Sequence, residues 1–160
     1  MKAVYIRNFV FGVEDGLVST VGVLAGIAVA GVAVGTIFLT GVVLIFVEAF
    51  SMAAGSFLSE TSAEEYSTGK NADTKHPIIA GFVMFISYFI AGLVPLLPYA
   101  VADAATAPIL SISASIAALF FLGITSGTLS RTGIWRNAFR MAIIGGIAIG
   151  IGAVAGWFLS

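Results

Sequence analysis

The stretch GLVSTVGVLAGIAVAGVAVGTIFLTGVVLIFV, residues 16–47, decides the fold, because it carries no charge and can be read as one helix or as two. As one helix its 32 residues would be about 48 Å long. A hydrocarbon core of roughly 30 Å accepts such a rod only with severe tilt. Two crossings are more economical. Gly31, Gly35 and Thr36 supply turn chemistry near the middle, so the sequence predicts a hairpin of helices at about 9–31 and 36–58.

Outward from the hairpin, Pro77 to Ala102, Ala104 to Ser130 and Met141 to Ser160 are also free of charge. They predict spans at about 77–99, 107–128 and 138–159. Residues Ser59 to His76, rich in Glu, Ser and Thr, read as a loop, about 59–76, too short for a domain. The expectation is an all-α polytopic membrane protein: one domain, residues 1–160, of five transmembrane helices.

Composition agrees. Of 160 residues 59% are hydrophobic and 9% charged, with mean hydropathy +1.10. A water-facing globule carries about 25% charged residues. The absence of cysteine excludes disulfides, thiolate metal sites and cysteine nucleophiles. A net charge of -1 with scattered cations argues against nucleic acid as a partner. A cleaved signal peptide is not expected, since the first apolar run outlasts a short signal core and is interrupted by Glu14 and Asp15.

Charge placement orients the bundle. Lys and Arg accumulate in short cytoplasmic loops. With five spans and a cytoplasmic N-terminus, Lys2, Arg7, Lys70, Lys75, Arg131, Arg136 and Arg140 all fall inside and the C-terminus lies outside. Reading residues 16–47 as one span would put five of these cations on the wrong side.

Splitting the first run places Asp15 within helix 1 and Glu48 within helix 2. A carboxylate at membrane depth costs several kcal/mol unless it is protonated, paired or holding a cation. Reflecting the hairpin about residues 33 and 34 sets Asp15 level with Met52, with Glu48 one turn, roughly 6 Å, farther from the cytoplasm. Two carboxylates and a thioether form a ladder suited to a divalent ion, the sulfur favouring Fe²⁺, with Mn²⁺ also admissible. Metal binding requires the deprotonated carboxylate, whereas an apolar medium favours the protonated one. Proton and metal would compete for the same oxygens, the minimum chemistry of an antiporter.

Other readings stand beside these. Asp15 also suits an interface cap near Arg7, and a methionine is more often packing than ligand. Glu14 reads as a rim residue. Glu60, Glu64 and Glu65 read as a solvated acidic stretch or, if helix 2 runs on, as a weak cation-attracting funnel. His76 beside Pro77 reads as an interface or capping residue. The four-residue spacings Gly22/Gly26, Gly123/Gly127, Gly146/Gly150 and Gly152/Gly156 allow close helix approach and make a dimer plausible. Pro95 and Pro98 are expected to shape the end of helix 3, where freed backbone groups need partners.

Several segments resemble the vacuolar iron transporter family. RNFVFGVEDGLVSTVGVLAG (7–26) is similar to its first helix, AFSMAAGSFLS (49–59) to the end of its second, and AGLVPLLPY (91–99) and Arg140 to Gly156 to its later spans. The resemblance covers nearly the whole chain. It implies a five-helix homodimer in the cell membrane that exports Fe²⁺, and often Mn²⁺, in exchange for protons through a path lined by helices 1 and 2. Asp15 and Met52 then carry over as metal-pathway residues. The family acid two turns before the methionine falls at Leu44 here, and Glu48 stands one turn later. The Gly-Glu-Tyr that often follows the methionine is Gly55, Ser56 and Phe57, without its acid. Plant-type members insert a glutamate-rich metal-collecting domain after helix 2, where this chain has the short acidic segment.

The sequence reading is thus a proton-coupled exporter of divalent transition metal, with Asp15, Glu48 and Met52 as its pathway and Glu14, Glu60, Glu64 and Glu65 as weaker candidates. It has no permanently bound cofactor and is not an enzyme, since no His pair, Ser/His arrangement or phosphate loop is present. The alternatives are a passive cation channel or a non-transporting scaffold.

Overall fold

A computed structural model describes residues 2–159; the Lys2 side chain, one of the cations counted above, lies outside what it describes. The chain forms α1 (Lys2–Val29), α2 (Val34–Thr68), α3 (Lys75–Val101), α4 (Ala107–Leu129) and α5 (Ile134–Leu159). All five are long and apolar enough to cross a membrane, and the chain is an all-helical, multi-pass membrane protein.

The helices outrun the apolar stretches that announced them. Hydropathy marks only the part suited to hydrocarbon, whereas a helix continues until its backbone is broken. Hence α1 begins before residue 9 and α5 directly after Gly133. The largest correction is α2, which runs through Ser59–Thr68 where a loop was expected and stops at Gly69, in the left-handed conformation with φ 64°. The loop is confined to residues 69–74. The first turn also sits earlier than expected. Gly31, with φ 75°, ends α1, extended Ala33 precedes α2, and Gly35 is already helical.

Burial is inverted relative to a soluble bundle. Phe50, Phe82, Phe121, Ile151 and Phe158 lie on the outside, while small and polar residues such as Ala49, Ala80, Ser111 and Ser115 are buried. Helix α3 is the hub, packing closely on both α1 and α2, which touch each other far less. Helix α5 flanks α1 and α4. One core cluster joins Leu24, Ile37, Ile45 and Leu96 across α1, α2 and α3; a second joins Leu17, Ala91, Leu119 and Met141 across α1, α3, α4 and α5. Helix α3 continues through Pro95 and Pro98. The Ser111 hydroxyl of α4 donates to the Pro95 carbonyl at 2.7 Å, bracing this proline-containing end.

Candidate functional site

The observed turn resets the height of the acids. Reflected about a turn centred between Gly31 and Val32, Asp15 stands level with Glu48 rather than with Met52. The two carboxyl groups are close enough for their charges to interact, as are both with Tyr88 of α3. Asp15, Glu48 and Met52 are all half-buried. Met52 keeps its place one turn from Glu48 on the same side of α2, toward the end of the bundle that bears the lysines and arginines.

Around Asp15 the structure adds a group that sequence reading missed. Ser19 Oγ lies 2.6 Å from the Asp15 carbonyl oxygen and 2.6 Å from the Tyr88 hydroxyl. Tyr88 is fully buried. Thr20 is fully buried beside it. Close backbone approach makes this possible: a methyl group at Gly16 would lie 2.6 Å from the Tyr88 carbonyl, and one at Gly92 would lie 2.9 Å from Ile45 and 3.3 Å from Thr20 Oγ1. In the sequence, Ser19 and Tyr88 are isolated hydroxyls in apolar runs, and only tertiary contact brings them together.

Asp15 and Ser19 also line a groove of about 580 Å³ along α1 and α5, otherwise walled mainly by Gly, Ala, Val and Ile. Glu14 lies within electrostatic range of Arg140 on α5 as well as of Asp15.

The other acids have structural work at the basic end. Glu60 forms an ion pair with Arg7. Glu65 and Glu64 accept backbone N–H bonds from Ala72 and Asp73, folding the short loop back on α2. Glu60 and Glu64 also line a cleft of about 410 Å³ with Tyr5, Ser67 and His76. The Tyr5 hydroxyl is 3.0 Å from His76 Nδ1. Ser56, at the position of the missing motif acid, donates to buried Asn8 at 2.9 Å, tying α2 to α1 with a neutral pair.

Among the described residues no three His, Cys, Asp or Glu side chains converge as a metal-holding cluster. A divalent ion between Asp15 and Glu48 would therefore complete its coordination with thioether, hydroxyl, backbone or water. A two-carboxylate site of this kind can attract and release a cation rather than bury it permanently.

The chain matches the VIT family over residues 6–76 and 63–157. It is 24% identical over 203 residues to vacuolar iron transporter 1 of Arabidopsis thaliana, covering 89% of this chain and 81% of that protein. It is 27% identical over 161 residues to vacuolar iron transporter homolog 3 of the same plant, covering 94% of this chain and 80% of the relative. Against vacuolar iron transporter 1 of Oryza sativa subsp. japonica it is 36% identical over 77 residues, 48% of this chain and 31% of the other.

Proposed function

Because this chain belongs to the VIT family, we propose that it transports a divalent transition metal, Fe²⁺ or Mn²⁺, across the membrane in exchange for protons. The observation that carries the reading is that Asp15 and Glu48, on two different helices, stand level near the middle of the spans and within electrostatic range of each other. Two carboxylates so placed need a counter-charge, and a cation or protons can supply it in turn. Metal loading expels protons from these oxygens and protonation releases the metal. Met52, one turn nearer the basic end, offers a soft sulfur on the approach. The names of the relatives support iron as cargo.

Direction follows from charge. The lysines and arginines of the α2–α3 and α4–α5 connections support placing that end in the cytoplasm, with the N-terminus inside and the C-terminus outside. Transport then runs outward through alternating exposure of the acids, and the cell membrane is the proposed location. Because Asp15 opens into a groove on the surface of a single copy, the reading includes a homodimer in which a second copy shields that carboxylate from lipid.

The test is reconstitution in liposomes with a lumenal metal dye and an imposed pH gradient. Uptake of Fe²⁺ or Mn²⁺ should accelerate when the lumen is acidic, and Asp15→Asn or Glu48→Gln should abolish it. Uptake indifferent to the gradient would replace antiport with a passive channel, and absence of uptake for every ion would leave a scaffold.

A further inference from the structure

We propose that the groove between α1, α3 and α4 is a lipid site, which holds one acyl chain of an anionic phospholipid whose phosphate lies toward the arginines of the α4–α5 connection. The inference takes from the reading above only the orientation of the basic end and is independent of the metal site.

The groove exists because α4 changes neighbours along its length. At the outer end it is held to α3, where Ser111 donates to the Pro95 carbonyl and Ala107 is buried in one cluster with Leu96 and Tyr99. At the basic end it turns to α5 instead: methyl groups at Gly123 and Gly127 would collide with the backbones of Ala138 and Ile134. The wedge left between α3 and α4 has a volume of about 530 Å³. Phe9, Val13 and Leu17 of α1 form its floor, Phe82 and Ile86 of α3 one wall and Ala118 of α4 the other.

Dimensions and lining select the occupant. Along α3 the groove runs from Phe82 to Val94, about 18 Å at 1.5 Å per residue, close to one leaflet of a hydrocarbon core roughly 30 Å thick. Volume over length gives a cross-section of about 30 Å², against about 80 Å² for a helix 10 Å across. An acyl chain fits, and a helix of a second copy does not. The groove along α1 and α5 contains Asp15 and would set a carboxylate against a lipid tail. This one has no charged side chain among the residues that line it, and its polar group is the Ser87 hydroxyl. At the basic end, Arg131 and Arg136 are exposed, and among the described residues neither forms an ion pair. Trp135 beside them is also exposed, as suits an aromatic side chain at head-group level. Basic side chains at the cytoplasmic surface attract anionic lipid head groups. Val13 and Leu17 lie on the face of α1 opposite Asp15, so the chain in the groove backs the segment that bears the carboxylate.

The experiment places the full chain in liposomes containing a phosphatidylglycerol with a diazirine in mid-chain, and identifies the labelled peptides by mass spectrometry after irradiation. Labelling should concentrate on residues 9–17 and 82–94 and exceed several-fold that of the exposed side of α2 bearing Leu39, Val43 and Phe50. Added phosphatidylglycerol should displace the probe, and phosphatidylcholine should not. Arg136→Gln should weaken that displacement about fivefold, the worth of one basic residue at an anionic surface. Ala118→Phe, which fills the groove, should remove the excess labelling and leave that of α2 unchanged. If it does not fold, as judged by elution as a single species in detergent, Ile86→Trp fills the groove from the α3 wall and carries the test. Labelling of α3 no stronger than that of α2, equal displacement by the two lipids, or excess labelling that survives groove filling would each overturn the proposal. So would Phe82→Cys protomers that cross-link to each other and exclude the label, which would give the groove to a second copy. The readout is lipid rather than metal, so this site and the carboxylate site fail separately.

Discussion

A methyl group on Gly16 would lie 2.6 Å from the Tyr88 carbonyl oxygen and 3.1 Å from the Tyr88 Cα, so α1 and α3 meet backbone to backbone one residue from Asp15. Neither backbone can rotate out of the way as a side chain could. Gly16→Ala should therefore push α1 from α3, costing about 1–3 kcal/mol, and lower the detergent melting temperature together with transport. Gly55→Ala is the matched control. Nothing lies within 4 Å of its added methyl group, and removing a glycine from a helix interior should add about 0.5–1 kcal/mol.

At the basic end, two contacts between α1 and α2 should differ sharply in worth. Asn8 and Ser56 are both buried, and Asn8 also donates to the Val4 carbonyl at 3.1 Å. Ser56→Ala leaves the Asn8 side-chain oxygen without its donor, an expected loss of about 1–3 kcal/mol. The neighbouring Arg7–Glu60 pair has an arginine 63% exposed, and Arg7→Gln should cost under about 1 kcal/mol. Thermal unfolding of the two variants side by side checks the ranking; equal losses would contradict it.

How far the sequence foretold this arrangement depends on which physical signal each part leaves. Five spans were legible because hydrocarbon demands long uncharged runs, and charge placement settled whether residues 16–47 cross once or twice. The register of the first hairpin was not, because Gly31 and Gly35 are equally good turn residues in sequence. Only Gly31 takes positive φ. A two-residue error in the turn slides facing residues by four, which is one helical turn and the difference between Met52 and Glu48 opposite Asp15. The end of α2 was misplaced because polarity was read as loop, although Ser59–Thr68 contains no Gly or Pro and its alanine and glutamates favour helix. Tyr88 left no signal at all. An isolated tyrosine in an apolar run gains meaning only from the Ser19 that meets it across α1 and α3.

The connection between α3 and α4 should show acid sensitivity. Asp103 accepts from the Thr106 backbone N–H at 2.9 Å and its hydroxyl at 2.9 Å, and from the Ala105 N–H at 3.0 Å. These bonds, those of Thr106 foremost, hold its carboxyl below the usual aspartate range. A native value below the unfolded one means that the contribution to stability is present above about pH 4 and is lost as pH falls through the native value. Asp103→Ala should thus lower the melting temperature at pH 7 and make no difference once the native carboxyl is protonated. A deficit that persists undiminished at the lowest pH would point to packing instead.

The glycine spacings of α5 are not equivalent. Methyl groups at Gly152 and Gly156 would collide with the carbonyls of Gly22 and Gly26, so these four glycines form the crossing of α5 over α1. Gly146 and Gly150 have the same spacing, but nothing lies within 4 Å of a methyl group at either. Small residues matter in a membrane where they let backbones approach, since lipid solvates an apolar side chain as well as a neighbouring helix does. Gly156→Ala should therefore separate α5 from α1, destabilising the fold by about 1–3 kcal/mol and opening the groove that contains Asp15 and Ser19. Gly150→Ala should keep or raise the melting temperature. The contrast can be read in thermal unfolding and in cross-linking of cysteines placed at Val23 and Ile151, which line the same groove from α1 and α5, where only the Gly156 variant should lose cross-linking efficiency relative to its parent.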